Sequence, residues 1–271
     1  MKTKNSARRL QHGFSMIEML IAVAIMAIVS AGILAQMDIA QQRGYSEQVK
    51  LDNFQEARDF VDQFFRDINQ IGYPNSRLVD PASLSWTPGL VTQTSASMTY
   101  TWASPYIPDN RLAIGLVSIS NDAIQFEGDM NGNGAVQTVI YQINGSGSCS
   151  LCLQRSQADK TTGNPLPTPT GAQTPNWGTE VNDVISSPIF SYFKADGTQV
   201  PSTSLAPPID ISTSANAQII ASIKTIKISL VIRNSQILDP QTHQAIETNF
   251  EGEVSINNCS MATTGKPESC Q

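Results

Sequence analysis

The sequence predicts an α+β protein: one long N-terminal helix, membrane-spanning and then amphipathic, packed on an antiparallel β-sheet head. Three observations carry this. Residues 17–35 are long enough to cross a bilayer as a helix, and from Met19 onward they hold no charge. Farther on, Phe54, Ala57, Val61, Phe64, Ile68 and Ile71 recur at steps of three and four, which sets them on one stripe of a helix. Beyond Pro74, short β-branched and aromatic runs alternate with turn-forming segments. The best of them places Ile226, Ile228, Leu230 and Ile232 at every second position, as a half-buried strand requires.

The helix opens on an anomaly. Lys2, Lys4, Arg8 and Arg9 form a basic leader that runs to Gly13, and Phe14, Ser15, Met16, Ile17 and Glu18 follow. Glu18 is a carboxylate at the edge of a membrane-length apolar run, where a charge is costly unless it meets a partner. That makes it a functional candidate. The basic leader places the N-terminus in the cytoplasm and the rest of the chain outside. An ordinary secretory signal is cleaved behind its apolar core, but no clear small-x-small exit precedes Gln36, the nearest being 30–32, inside the run. Ser30 and Gly32 are small enough to allow close helix packing.

The helix is expected to continue beyond the membrane, with Gly44 as a softening point, and to stop at Gly72 and Pro74. From Phe14 to Ile71 it would be about 87 Å long. Phe60 and Phe65 widen its apolar stripe. The chain thus divides into a leader (1–13), a membrane-spanning helix (14–36), an amphipathic helix (37–73) and a β-rich head (74–271).

Within the head, strands are expected over 112–120, 123–127, 136–143, 152–155, 185–193, 226–232 and 250–256, with a hairpin-type turn at 195–198. Two segments read as irregular surface loops: 159–177, with four prolines, and 201–217, rich in Ser, Pro and Ala.

The 271 residues carry a net charge of −6. Removing the four basic residues of the leader takes it from −6 to −10, which argues against non-specific nucleic-acid binding. All four cysteines fall in the exported part, where disulfides persist. Cys259 and Cys270 bracket the final loop and are expected to pair. Cys149 and Cys152 form a close bridge or cross-pair with the C-terminal cysteines. Their surroundings read as a strand, not the helix N-terminus that a redox pair needs, and a four-cysteine zinc site would want a second close pair. Asp129, Asn131 and Asn133 stand at alternate positions ahead of Gly134, like the opening of a calcium loop. The place of the bidentate acid is taken by Ile140, and Glu127 would have to substitute from the other side. The sequence favours reading the same residues as a hairpin connection, since Asn-Gly occurs twice. His12 and His243 are both expected to be solvated. No nucleophile triad, phosphate loop or catalytic carboxylate pair can be placed, so no enzyme activity and no cofactor other than calcium is expected.

The run from Gly13 through Glu18, with its basic leader and apolar stretch, resembles the type IV prepilin signal. That resemblance implies cleavage after Gly13 by a prepilin peptidase, N-methylation of Phe14, and docking of Glu18 against the Phe14 amine of a neighbouring subunit. It further implies a pilin-like fold, assembly with other pilin or pseudopilin subunits on an inner-membrane platform, and a head that starts in the periplasm and ends at the cell surface. The loop closed by Cys259 and Cys270 resembles the disulfide-bounded C-terminal loop of many pilins. The helix end from Phe64 to Tyr73, the strand-turn at 189–197 and the strand 223–233 resemble PilW-like minor pilins and the related J-type pseudopilins of type II secretion. Ala35 stands near where many major pilins bend at a proline, and the head is large, features that favour a minor subunit. The alternatives are a minor pseudopilin and a membrane-anchored ligand-binding or adhesive β-domain.

Overall fold

The computed structural model describes residues 15–74, 90–95, 98–103, 111–144, 151–160, 176–211, 213–239 and 243–257. Helix α1, Met16–Asn69, is one uninterrupted helix of 54 residues, about 81 Å long. It passes through Gly44 without a break. Its end comes earlier than Ile71 because the chain there is recruited into the head. Ile71 forms a β-bridge with Gly128, Gly72 N donates to Glu127 O at 3.0 Å, and Asp129 N donates to Tyr73 O at 2.8 Å. Gly128 permits this approach, because a Cβ there would run into the carbonyl of Gln70.

Eleven strands follow among the described residues. β1, Leu90–Ser95, and β2, Met98–Ala103, make a separate antiparallel hairpin. β3 (Leu116–Ile119), β4 (Ala123–Gly128), β5 (Gln137–Asn144), β6 (Cys152–Asp159), β7 (Trp177–Val181) and β9 (Ile209–Asp210) form a six-stranded antiparallel sheet in the order β7-β6-β5-β4-β3-β9. β8 (Phe190–Lys194), β10 (Ile223–Leu238) and β11 (Ala245–Ser255) form a second sheet in the order β11-β10-β8. A short helix α2, Ser214–Ala221, precedes β10, with the Thr213 side chain accepting from Asn216 N at its start.

The C-terminal half of α1 lies across both sheets. Phe64 packs its ring at 5.4 Å from Tyr141 of β5 and at 5.6 Å from Phe190 of β8. Ala57, Val61, Phe64, Ile68 and Ile71 are buried as their spacing predicts, together with Phe60. Phe54 is not: it is 45% exposed and meets only the edge of the head, its ring 5.8 Å from Phe250. Ile226, Ile228, Leu230 and Ile232 all face the core.

Several strand limits differ from the sequence reading. Residues 112–115 are buried but irregular, since Ala113 N and Ile114 N bond to Pro74 O and to the Glu127 side chain instead of a ladder. The strand expected from 185 begins at Phe190, because Ile189 N and Phe190 N both turn to Asn121 O. β6 and β10 run longer than expected, each held by neighbours on both sides. The loop expected over 201–217 contains β9 and the start of α2. Trp177, expected in a loop, opens β7. The turn at 195–198 is present, closed by Gly197 N to Lys194 O at 2.9 Å.

Candidate assembly surface and helix–head junction

Glu18 lies in the first turn of α1, exposed, with its amide donating to Ser15 O at 3.0 Å. An acid in a first turn is favoured by the helix dipole. From Met16 through Leu34 the apolar side chains have no cover from the head: an 18-residue window long and apolar enough to cross a membrane is 0% buried. Gly13 and Phe14 lie outside the described residues. The helix therefore has two halves with opposite needs. The first displays apolar surface in every direction and requires lipid or other helices. The second is part of the head's own core.

The junction is locked by a polar network. Asp67 is buried on the stripe between Phe64 and Ile68. Its Oδ2 accepts from Tyr141 Oη at 2.7 Å and from Arg155 Nε at 2.8 Å, while Oδ1 accepts from Gln63 Nε2 at 2.7 Å. The Arg155 guanidinium stands over the Tyr141 ring, 5.8 Å from its centroid. Burial, reinforced by the Asp67 charge, pushes the Tyr141 hydroxyl well above its ordinary range, so it stays a donor. A second tie lies nearer the N-terminus of α1, where Glu56 Oε1 accepts from Asn182 N and Nδ2, both at 3.0 Å. Together they fix the rotation of the head about α1. The signal for Asp67 is in the sequence, as an acid standing inside an apolar stripe, and sequence reasoning passed over it.

A buried ion pair sits at the far side of the larger sheet. Glu127 Oε2 is 2.7 Å from Lys160 Nζ and accepts from Ile114 N at 3.0 Å; Lys160 also donates to Leu112 O at 2.9 Å. Glu127 therefore answers to Lys160 within the head.

The structure places the three candidate calcium ligands on one hairpin loop between β4 and β5 and gives each a protein partner. Asp129, nearly fully buried, accepts from Asn133 N at 3.1 Å and Gly134 N at 2.7 Å. Asn133 Oδ1 accepts from Ala135 N, and Asn131 Oδ1 from Gln157 Nε2. Among the described residues no group of three or more His, Cys, Asp or Glu is arranged to hold a metal ion. Cys152 begins β6 and is disulfide-bonded; Cys149, Cys259 and Cys270 lie outside the described residues. His243 is exposed, in the turn between β10 and β11.

Residues 8–34 match the family model of the prokaryotic N-terminal methylation motif, which covers the end of the leader from Arg8 to Gly13, then Phe14, Glu18 and most of the apolar run. The chain is type IV prepilin-like. No curated protein and no solved structure matches it. The described part of the motif, residues 15–34, is left bare by the head. The pilin-like pairing of a long N-terminal helix with an antiparallel β-sheet head accounts for the remainder of the described fold.

Proposed function

We propose that this protein is a minor subunit of a type IV pilus, processed after Gly13, N-methylated at Phe14 and assembled through α1 at the initiating or tip end of the filament. The observation that carries the reading is the pairing of the methylation motif with an apolar helix half that is continuous with, yet uncovered by, a folded head. In this reading Glu18 meets the Phe14 amine of a neighbour, which neutralises a carboxylate in an apolar bundle and sets the axial register. The head waits in the periplasm before assembly and faces outward afterwards. Its role is assembly, without catalysis. A minor pseudopilin of a type II secretion system would use the same N-terminus.

Mass spectrometry of the protein from its native membrane tests the first step. The expected product begins at methylated Phe14, and an intact Met1 would overturn the reading. Glu18→Ala should leave membrane insertion unchanged and reduce entry into filaments. Normal assembly of that variant would remove the docking role.

A further inference from the structure

The loop that joins β4 to β5 runs Asn131-Gly132-Asn133-Gly134, two Asn-Gly steps in succession. Such a step can react with itself, because glycine has no Cβ to keep its amide nitrogen from closing on the preceding side-chain carbonyl. The structure treats the two steps differently. At the second, the Gly134 amide donates to Asp129 Oδ2 at 2.7 Å, and the Ala135 amide donates to Asn133 Oδ1 at 2.9 Å. The attacking nitrogen thus touches a carboxylate able to take its proton, and an N–H is already aimed at the oxygen that gains charge under attack. Asp129 is held in place: it is 3% exposed, and its Oδ1 accepts from Asn133 N at 3.1 Å. Asn133 and Gly134 are exposed, and apart from its chain neighbours nothing lies within 4 Å of where a Gly134 Cβ would stand. A ring has room to close there, and water can reach it. At the first step, Asn131 Oδ1 is turned to Gln157 Nε2 of β6 at 3.2 Å, and the bonds of Asp129 go to Asn133 and Gly134 instead of Gly132.

The geometry points to Asn133 as a self-modification site, at which Asp129 acts as the general base for closure of a succinimide. Gly134 N bonds to Asn133 Cγ while Asp129 takes the proton from that nitrogen. The Cγ–Nδ2 bond then breaks, the proton passes to the departing nitrogen, and ammonia leaves. Asp129 is a free carboxylate again. Water opens the five-membered imide at either carbonyl, which leaves aspartate or isoaspartate at position 133. The sequence of steps is redox-neutral and consumes only water. Each event adds one negative charge to an exposed loop, close to the buried Asp129 carboxylate. The isoaspartate product also lengthens the backbone by one carbon and so breaks the turn that holds the Ala135 amide. The reaction needs no partner and is independent of how the chain assembles.

The test incubates the full chain in detergent at neutral pH and follows the two asparagines separately by peptide mass spectrometry. Asn133 is expected to convert at least about tenfold faster than Asn131 while the chain is folded. In urea both become ordinary Asn-Gly steps, and the two rates converge. Asp129→Asn keeps an acceptor for the Gly134 amide but takes up no proton. It should slow Asn133 about tenfold or more and leave Asn131 unchanged. The pH profile gives a second reading. Asn131 waits on hydroxide and slows about tenfold for each unit of falling pH, whereas Asn133, served by an internal carboxylate, slows less. Asn131 converting as fast as Asn133 in the folded chain, no conversion at either site, or the same pH slope at both overturns the proposal. So does unchanged or faster conversion of Asn133 in Asp129→Asn, which would show that the carboxylate restrains the Gly134 amide and does not activate it.

Discussion

Asp67 near the end of α1 and Arg155 in β6 stand 88 residues apart in sequence and meet at 2.8 Å. Helix α1 is thus bolted to the larger sheet by one shared carboxylate, with Tyr141 and Gln63 also donating to it. Removing one member leaves the other charge buried without a counterpart. Arg155→Ala is expected to cost on the order of 3–5 kcal/mol, measured by urea unfolding of the mature chain in detergent with near-ultraviolet circular dichroism. A loss below about 1 kcal/mol would mean that the network is solvated and does not hold the junction.

Glu127 predicts a pH dependence of opposite sign to that of most carboxylates. Burial pushes its carboxyl above the ordinary 4.5, and Lys160 and the Ile114 amide pull it back only in part. A folded-state value above the unfolded one means that the neutral acid is favoured in the native protein. Its contribution is then fully present below about pH 4.5 and is lost as pH rises through the raised value. Glu127→Gln cannot ionise. The stability of the native chain relative to Glu127→Gln should therefore fall as pH climbs from about 4.5 through the raised value and be flat beyond it. A difference that rises over that interval would show the ion pair with Lys160 outweighing the cost of burial.

Much of the helix was readable because its physics is local. Glu18, the apolar run and the three-four stripe depend on neighbours within a few positions. Asp67 was harder, since a charge on a buried stripe makes sense only once Arg155 and Tyr141 are known to lie beside it. Glu127 and Gln125 show a related limit of local pattern. They alternate with Ile124 and Phe126, so periodicity assigns them to solvent, yet both are buried because this sheet is covered on its second face as well. The edge strands β7 and β9 were missed because five- and two-residue strands in Pro-, Gly- and Ser-rich surroundings carry too little pattern.

The loop between β4 and β5 gives a prediction about calcium. The oxygens of Asp129 already receive the amides of Asn133 and Gly134, which closes the loop as an Asx-type turn. An ion there would have to displace those bonds. Calorimetry of the mature chain is expected to show no saturable heat at millimolar calcium, and Asp129→Ala to cost about 1–3 kcal/mol of stability through unsatisfied amides. A one-to-one heat signature abolished by Asp129→Ala would instead establish a metal loop.

Gly252 in β11 and Phe65 on α1 define how closely the second sheet sits on the helix. A Cβ at Gly252 would lie 2.7 Å from the Phe65 ring and 3.3 Å from Val61 Cγ1, inside ordinary contact distance. The ring is the far end of a side chain that is only partly buried, so it can swing out, but in doing so it gives up its packing on the hairpin. Gly252→Ala is expected to cost about 1–3 kcal/mol, and Phe65→Leu a similar amount through lost packing. Because the two changes act on one contact they should not add. The double variant should be less destabilised than the sum of the singles by at least about 0.5 kcal/mol, since the smaller leucine makes room for the methyl group. Full additivity in the double-mutant cycle would show that β11 relaxes away from the helix as a whole, and that the close approach at Gly252 does not set the spacing of helix and sheet.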